Sequence, residues 1–376
     1  MQKYPNIKVN WVVRDFGSYP AQIKLALSSA HAPDVAIGNI GWSLDGPLIQ
    51  ANLIRPLTPW VARYGWDKRY PATELDQLRF TTDGKKFGQG EIYGMPYAAD
   101  VIGWFYNVAK LQKLGVGVPK TFAELEADFA KAKTAGEVPM ELGNKDQWPG
   151  LHVFFNIDDT TQPADAVTGL VYDKGSKWTD PSFAAAATTL AGWYRSGYLP
   201  SGTNGIAYGD ATAAFAKGTG VFLPAGSWVA SGLPADKFGF FLTPPVNAGD
   251  PSHATGSFGY GWHISTRSKQ PDLAAAFIDW ETNEDSARLF FEDGDIAPLQ
   301  VANLTLKPGK LTSDIYAAFQ QVLKDDTLLP YLDFSDPNGG EVIYPTFQRI
   351  LVGDASPEAG MKTIEAAREK FVASIK

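Results

Sequence analysis

The stretch GEIYGMPYAADVIGWFYNVAK, residues 90–110, joins a Tyr-Gly-x-Pro-Tyr turn to a strand-like run. Within that run one carboxylate, Asp100, stands among aromatic side chains. A buried strand rarely keeps an unpaired acid, and a surface loop rarely carries so many aromatic rings. The stretch therefore predicts a strand that borders a site, with Asp100 facing either a ligand or a nearby Lys or Arg.

The segments near the start of the chain indicate the fold class. IKVNWVV (7–13) is β-branched and apolar, PAQIKLALSSA (20–30) carries Ile23 and Leu27 at helical spacing, and DVAIG (34–38) is strand-like again. A strand–helix–strand unit of this length predicts two parallel strands joined by a crossover helix. We therefore expect an α/β fold.

Two helices further along show clear sequence signals. In PKTFAELEADF, Thr121 and Glu124 form a capping-box pattern ahead of an apolar face. In QPDLAAAFIDWETN, the spacing of Leu273, Phe277 and Trp280 predicts that these three side chains form the buried face. Both helices are thus expected to pack on a sheet through one side.

The composition limits the possible functions. The 376 residues allow two domains, 44% of them are hydrophobic, and no apolar run reaches membrane-spanning length. The net charge of −8 argues against nucleic acid as a partner. There is no cysteine, and the four histidines show no metal-ligand spacing. HExxH, GxSxG and GxxxxGK[ST] are absent, so we expect no catalytic centre, no metal and no cofactor.

A set of segments, in order, gives the sequence a family resemblance. It resembles the family-1 extracellular solute-binding proteins, which are maltose-binding-protein-like capture subunits of ABC sugar importers. The match runs from Tyr4 to the C-terminal helix. The segments are APDVAIGN, GPLIQANLIRPLTPWVARYGW, GEIYGMPYAADVIGWFYN, LQKLGVGVPKTFAEL, FAKGTGVFLPAGSW and GSFGYGWHISTRSKQPDLAAAFIDW.

The resemblance implies a type II periplasmic binding protein fold, in which two α/β lobes close like a hinge around an interlobe cleft. The expected N-lobe comprises residues 1–102 and 264–304, and the expected C-lobe 103–263 and 305–376. Family members carry a strand and a helix ahead of the segment that begins here at Tyr4, and we expect both to be absent. No signal-peptide pattern opens the sequence.

The resemblance also implies a function. The expected ligand is a carbohydrate, captured without catalysis by a monomer outside the cytoplasm, in the periplasm or as a surface lipoprotein. The expected partner is an ABC membrane permease. Two alternatives stay open: a non-sugar solute such as a polyamine or phosphodiester, and a glycoside hydrolase with two facing carboxylates.

Seven residues correspond to ligand-binding positions of the family. Rings suit the apolar C–H face of a pyranose, and carboxylates accept from its hydroxyls. The residues are Trp42 and Asp45 in a W-x-x-D element, Asp100 before the first crossing strand, Trp148 at a C-lobe helix start, Trp228 in AGSW, and Tyr260 and Trp262 on the return crossing.

Several of these positions have a structural alternative. Asp45 could instead cap the helix that begins near Pro47. Trp262 alternates with Ile264 in a strand, which favours the core. Trp42, Trp148 and Trp228 could also be core rings.

Overall fold

The computed structural model describes residues 7–14, 19–70, 72–258, 260–299 and 310–376. The start of the family match at Tyr4 and the parts of the two lobe ranges at 300–309 lie outside the described residues. Within the described ranges, no helix is both long enough and apolar enough to cross a bilayer.

The described helices surround the sheets. They are α1 (Tyr19–Ser28), α2 (Asp45–Gln50), α3 (Thr58–Tyr64), α4 (Ala72–Asp76), α5 (Val108–Leu114), α6 (Phe122–Thr134), α7 (Trp148–Thr161), α8 (Ala164–Val171), α9 (Pro181–Arg195), α10 (Tyr208–Ala216), α11 (Pro271–Glu281), α12 (Glu284–Asp293), α13 (Lys310–Lys324), α14 (Tyr344–Val352) and α15 (Pro357–Ile375).

The strands are shorter, apart from β5. They are β1 (Val35–Gly38), β2 (Arg79–Phe80), β3 (Glu91–Ile92), β4 (Met95–Pro96), β5 (Asp100–Asn107), β6 (Phe222–Gly226), β7 (Phe238–Phe241), β8 (Ala254–Ser257), β9 (Gly261–Ile264) and β10 (Leu328–Leu329). One sheet has the order β1-β9-β4, and β2 pairs with β3. The second main sheet has the order β10-β8-β5-β6, and β7 also pairs with β5.

Two of the passages of the chain between the two main sheets lie side by side. One passage runs from β4 to β5 and the other from β8 to β9, and the N–H of Tyr97 donates to the carbonyl of Tyr260 at 2.7 Å between them. All of β5 pairs in the second sheet and all of β9 in the first. The passages therefore lie a few residues away from the lobe boundaries expected at 102 and 264.

The predicted opening unit is confirmed only in part. α1 buries Ile23 and Leu27, and β1 follows it as expected. Residues 7–14 form no strand. Val12 and Val13 are exposed, and the ring of Trp11 lies 6.3 Å from that of Trp262 on β9. The prediction of a strand there was wrong because β-branched residues favour a strand without supplying a partner for its backbone. β1 pairs antiparallel with β9, and the parallel pair is β10 with β8.

The sequence signals of α6 are mostly confirmed. The Thr121 hydroxyl accepts from the N–H of Glu124 at 3.2 Å, and Leu125 and Phe129 are fully buried. The Glu124 carboxylate accepts from the N–H of Lys120. In a standard capping box the glutamate would accept from the N–H of the cap residue Thr121, but here it accepts from the N–H of Lys120, one residue earlier.

The predicted face of α11 was wrong for Leu273. That side chain is 47% exposed, and the buried face consists of Ala274, Ala275 and Ile278. Phe277 is half-buried, with its ring edge-on to Trp262 at 5.3 Å. The small alanine side chains allow a closer approach of the helix to the sheet, which the spacing of larger residues does not reveal.

The α11 packing gives a stability prediction. Ile278→Ala should lower the free energy of unfolding by about 2–5 kcal/mol because it opens a cavity in the core. Leu273→Ala, on the exposed face, should change it by no more than about 0.5 kcal/mol. Urea denaturation of both variants measures this. A larger loss for Leu273→Ala than for Ile278→Ala would show that the helix packs through the other face.

Candidate functional site

Three aromatic side chains from separate elements form an aromatic wall. Trp148 begins α7, Tyr208 begins α10, and Trp228 lies in a 3-10 turn that follows β6. The ring of Trp148 is 4.4 Å from that of Tyr208 and 6.4 Å from that of Trp228. The indole N–H of Trp228 donates to the Tyr208 hydroxyl at 3.0 Å. All three rings are partly exposed, and Trp228 is 36% exposed, so the aromatic wall is open to a ligand.

Asp100 lies beside this wall, at the first residue of β5. Its Oδ1 accepts from the N–H of Ser257 at 3.1 Å and from the Tyr331 hydroxyl at 2.7 Å, and its Oδ2 accepts from the Ser257 hydroxyl at 3.1 Å. The partners of Asp100 are thus a serine and a tyrosine, and not the Lys or Arg that the sequence analysis gave as an alternative. Burial raises the pKa of Asp100 to about 6, although the bonds from Tyr331 and Ser257 favour the charged form.

A second acid lies close to Asp100. Asp333 sits in a 3-10 turn ahead of α14, and the hydroxyl of Tyr344 donates to its Oδ2 at 2.6 Å. Burial raises the pKa of Asp333. Burial also raises the pKa of Tyr260, and the charges of Asp100 and Asp333 contribute to that shift. We call Asp100, Tyr260, Tyr331, Asp333 and Tyr344 the polar cluster.

His152 joins the aromatic wall to the polar cluster. It lies one turn after Trp148 on α7, and the two ring centroids are 4.8 Å apart. Its ring is 5.7 Å from that of Trp228 and 5.9 Å from that of Tyr331. Burial lowers the pKa of His152 to about 3, so the ring is neutral at physiological pH.

Trp42 lies away from the aromatic wall. It is 5% exposed, and its ring packs edge-on against Phe80 at 5.1 Å and Phe371 at 4.7 Å. It also borders a cavity of about 280 Å³ between the loop at 85–89 and helices α8 and α15. Its predicted contact with a ligand stays a prediction, since the ring is largely enclosed here.

Asp45 is enclosed in the first lobe. The side chain is fully buried and does not cap α2, whose N-cap position is Leu44. The capping alternative was therefore wrong. Its Oδ1 is 3.2 Å from Nε2 of His263, whose Nδ1 is 2.9 Å from the carbonyl of Tyr93.

The Asp45–His263 pair is neutral. Burial raises the pKa of Asp45 well above its usual range and lowers that of His263 to about 4. A protonated Asp45 can donate to Nε2 while Nδ1–H of His263 donates to Tyr93. The predicted ligand contact of Asp45 stays a prediction, because the carboxyl is turned toward the histidine.

Trp262 lies in the core of the first lobe, as its alternation in a strand favoured. It is 4% exposed, and its ring is edge-on to Tyr97 at 5.2 Å and to Phe277 at 5.3 Å. Of the predicted ligand-binding residues, the structure therefore brings together Asp100, Trp148, Trp228 and Tyr260, whereas Trp42, Asp45 and Trp262 are buried in this conformation.

Other residues of the site were missed by the sequence reasoning. They are Tyr208, Tyr331, Asp333 and Tyr344, and His152 was left unassigned. Tyr344 shows one usable signal, since it precedes Pro345 at the start of a helix, a position like that of Trp148 before Pro149. Among the described residues, no group of three or more histidine or acidic side chains is arranged to hold a metal ion.

Comparison with known proteins assigns the sequence to a family. Residues 1–288 match the family described as bacterial extracellular solute-binding protein. The protein belongs to that family, whose members are extracytoplasmic. Its fold is the type II periplasmic solute-binding fold, with two α/β lobes, a hinge and a cleft between the lobes.

Individual relatives are distant in sequence. The maltodextrin-binding protein MdxE of Bacillus subtilis is 24% identical over 284 residues, 73% of this chain and 62% of that protein. The multiple sugar-binding protein of Streptococcus mutans is 24% identical over 219 residues, 56% of this chain and 52% of that protein. The matches thus span between half and two thirds of these relatives. A solved chitin oligosaccharide binding protein superposes with a TM-score of 0.85 at 23% identity, covering 99% of this chain and 92% of that one.

The buried Asp45–His263 pair gives a prediction. Asp45→Asn keeps an N–H that can donate to Nε2 of His263, so the free energy of unfolding should fall by less than about 1 kcal/mol. Asp45→Ala leaves Nε2 without a donor and should cost about 1–3 kcal/mol more than Asp45→Asn. Chemical denaturation of the two variants checks this, and equal losses would argue against a neutral hydrogen-bonded pair.

The Asp100 network gives a second prediction. Tyr331→Phe removes a donor to the carboxylate, so the pKa of Asp100 should rise above about 6. Tyr344→Phe, whose hydroxyl bonds Asp333 instead, is the control and should leave that pKa unchanged. NMR titration of the aspartate carboxyl carbons measures both values. An Asp100 pKa unmoved by Tyr331→Phe would contradict the network.

The raised pKa of Asp100 also has a consequence for stability. The folded state holds a proton at pH values where the unfolded state, with its pKa near 3.8, has released it. The contribution of Asp100 to the free energy of unfolding is therefore fully present below pH 3.8 and is lost as the pH rises through about 6.

Proposed function

We propose that this protein captures a carbohydrate, a mono- or oligosaccharide, outside the cytoplasm and delivers it to an ABC permease. The observation that carries the proposal is the aromatic wall of Trp148, Tyr208 and Trp228 beside the carboxyls of Asp100 and Asp333. The protein acts as a monomer that binds and releases its ligand without chemical change. Transport energy comes from the membrane complex, which recognises the closed form.

The aromatic wall suits one part of a sugar. The C–H face of a pyranose is apolar and packs on the electron-rich face of an indole or phenol. Because the rings of Trp148 and Trp228 are inclined by 60° to each other, they offer two faces instead of one flat floor. Such an arrangement fits a ligand with more than one ring plane.

The polar cluster suits the other part of a sugar. The hydroxyls of a pyranose lie near the ring plane and both donate and accept. Asp100 and Asp333 accept from them. A hydrogen bond to a charged group contributes about 1.5–3 kcal/mol, and a ligand lacking the hydroxyl leaves the acid unpaired. The site therefore distinguishes a ligand that carries the hydroxyl from one that lacks it.

The charge of the site distinguishes sugars from the alternative solutes. Two acids, Asp100 and Asp333, belong to the described site and both already accept from tyrosine hydroxyls, whereas a polyamine site needs several carboxylates around aromatic rings. The hydrogen bonds to both acids come from hydroxyl and backbone groups. A phosphodiester would instead require cationic groups at this position. The names of the maltodextrin- and multiple sugar-binding relatives support the same choice.

Calorimetric titration tests the proposal. The panel comprises glucose, galactose, maltotriose and chitotriose, with spermidine and glycerophosphocholine as non-sugar solutes and an aryl glycoside as a hydrolase substrate. We expect saturable binding of at least one sugar and no response to the other compounds. Silence for every sugar together with a response to spermidine or the phosphodiester would overturn the carbohydrate assignment. Sustained release of phenol would overturn the transport function.

Trp228 provides a prediction for the bound sugar. Trp228→Ala should weaken binding by about 1–3 kcal/mol, with stacking on nucleobases as a guide. The melting temperature should change little, since the ring is 36% exposed. Trp228→Phe is the control: it keeps a ring face and loses only the indole N–H bond to Tyr208, so most of the affinity should remain. Unchanged affinity with a lower melting temperature for Trp228→Ala would make the ring a structural element.

A further inference from the structure

His152 is held in a socket of aromatic rings. Phe155, on the same helix, stacks on it at 5.7 Å and 28°, while Trp148 lies one turn earlier at 4.8 Å. Trp228 contacts it from the turn after β6, and Tyr331 from the segment after β10. The ring is 9% exposed, although two of these neighbours belong to the open aromatic wall. The socket therefore fixes the orientation of the imidazole at the site.

The two nitrogens of His152 have different surroundings. Nδ1 is enclosed and has no hydrogen-bond partner among the described residues. Nε2 is not one of the enclosed atoms that lack a partner, and no hydrogen bond to it is found in the described part of the chain, so Nε2 keeps contact with solvent. A neutral imidazole carries one proton, on one of the two nitrogens. A proton on Nδ1 would bury an unsatisfied N–H, whereas a proton on Nε2 keeps the donor at the accessible nitrogen. The socket therefore selects the Nε2–H tautomer.

Few charges act on this imidazole. Four rings contact it, those of Trp148, Phe155, Trp228 and Tyr331. Of these four the phenol of Tyr331 titrates, and burial raises its pKa well above the usual range. Asp100, the closest carboxyl linked to the socket, is bonded to that same tyrosine. No neighbouring anion in the socket thus stabilises an imidazolium, and the ring stays neutral across the physiological range.

We propose that His152 is a specificity-determining residue of this site, a neutral imidazole that donates from Nε2–H to a ligand oxygen lying against Trp148 and Trp228. The inference rests on the proposed function and makes it more specific. Ionised carboxylates only accept hydrogen bonds. Asp100 and Asp333 can therefore bind a ligand hydroxyl, which donates, but not a ligand oxygen that carries no hydrogen. His152 supplies the donor for such an oxygen, the ring or bridging ether oxygen of a sugar.

The tautomer can be measured without any ligand. Long-range proton–nitrogen NMR correlations of the histidine-labelled protein distinguish the two neutral forms and the imidazolium, and the His152→Gln variant assigns the signal. We expect the Nε2–H form from about pH 8 down to about pH 5. An Nδ1–H form, or protonation with a midpoint above pH 5, overturns the inference.

Two variants measure the role of the donor in binding. His152→Gln places an amide N–H at a similar reach to Nε2, and we expect maltotriose or chitotriose, whichever binds, to bind within about threefold of the original affinity. His152→Phe keeps the ring shape without a donor, and we expect a loss of about tenfold or more with an unchanged melting temperature. Equal affinity of His152→Phe overturns the inference.

The two proposals fail in different ways. If the unaltered protein binds no sugar probe, the proposed function fails, and the role of His152 in reading a sugar fails with it, whatever the tautomer. If the unaltered protein binds a sugar and His152→Phe binds it equally well, the proposed function stands and only the assignment of His152 is overturned.

Discussion

The burial of the Asp100 carboxyl, at the point where the chain enters the second sheet, is the constraint on which the site depends. A buried acid needs partners, and here they come from β8 through Ser257 and from the segment after β10 through Tyr331. β8 is tied in turn to α7, because Oδ1 of Asp159 accepts from the Thr255 hydroxyl at 3.0 Å. One set of hydrogen bonds thus joins four chain segments that are far apart in sequence, and the helix that carries Trp148 and His152 is among them.

The residues of this site come mainly from one of the two lobes. Its rings and acids come from segments around the second sheet, whereas the candidate residues Trp42, Asp45 and Trp262 of the first lobe are buried. Oδ1 of Asp45 lies 3.2 Å from Nε2 of His263 on β9, and Trp42 is covered by Phe80 and by Phe371 of α15. The two lobes still meet beside Trp42, where Gly41 lies against Phe334. Among the described candidate residues, the partly exposed rings and the acids of the polar cluster therefore belong mainly to the second lobe.

The sequence predicted the parts of this arrangement that depend on local chemistry. The strand at 100–107 and the cap at Thr121 follow from patterns within a few residues, and Asp100 and Trp228 were recognisable as an acid and a ring in unusual settings. The W-x-x-D pattern showed the residue types of Trp42 and Asp45 but not their burial, which depends on Phe371 and His263, distant in the chain. Tyr331 and Asp333 have no local signal at all, since only tertiary packing places them beside Asp100.

A crystal structure of the protein with a bound oligosaccharide tests the central claim most directly, because it shows which surface the sugar occupies. The account predicts a sugar ring against Trp148 or Trp228, with hydroxyls within hydrogen-bonding distance of Asp100 or Asp333. A sugar bound instead in the cavity beside Trp42 and Phe371, with the aromatic wall left unoccupied, would contradict it.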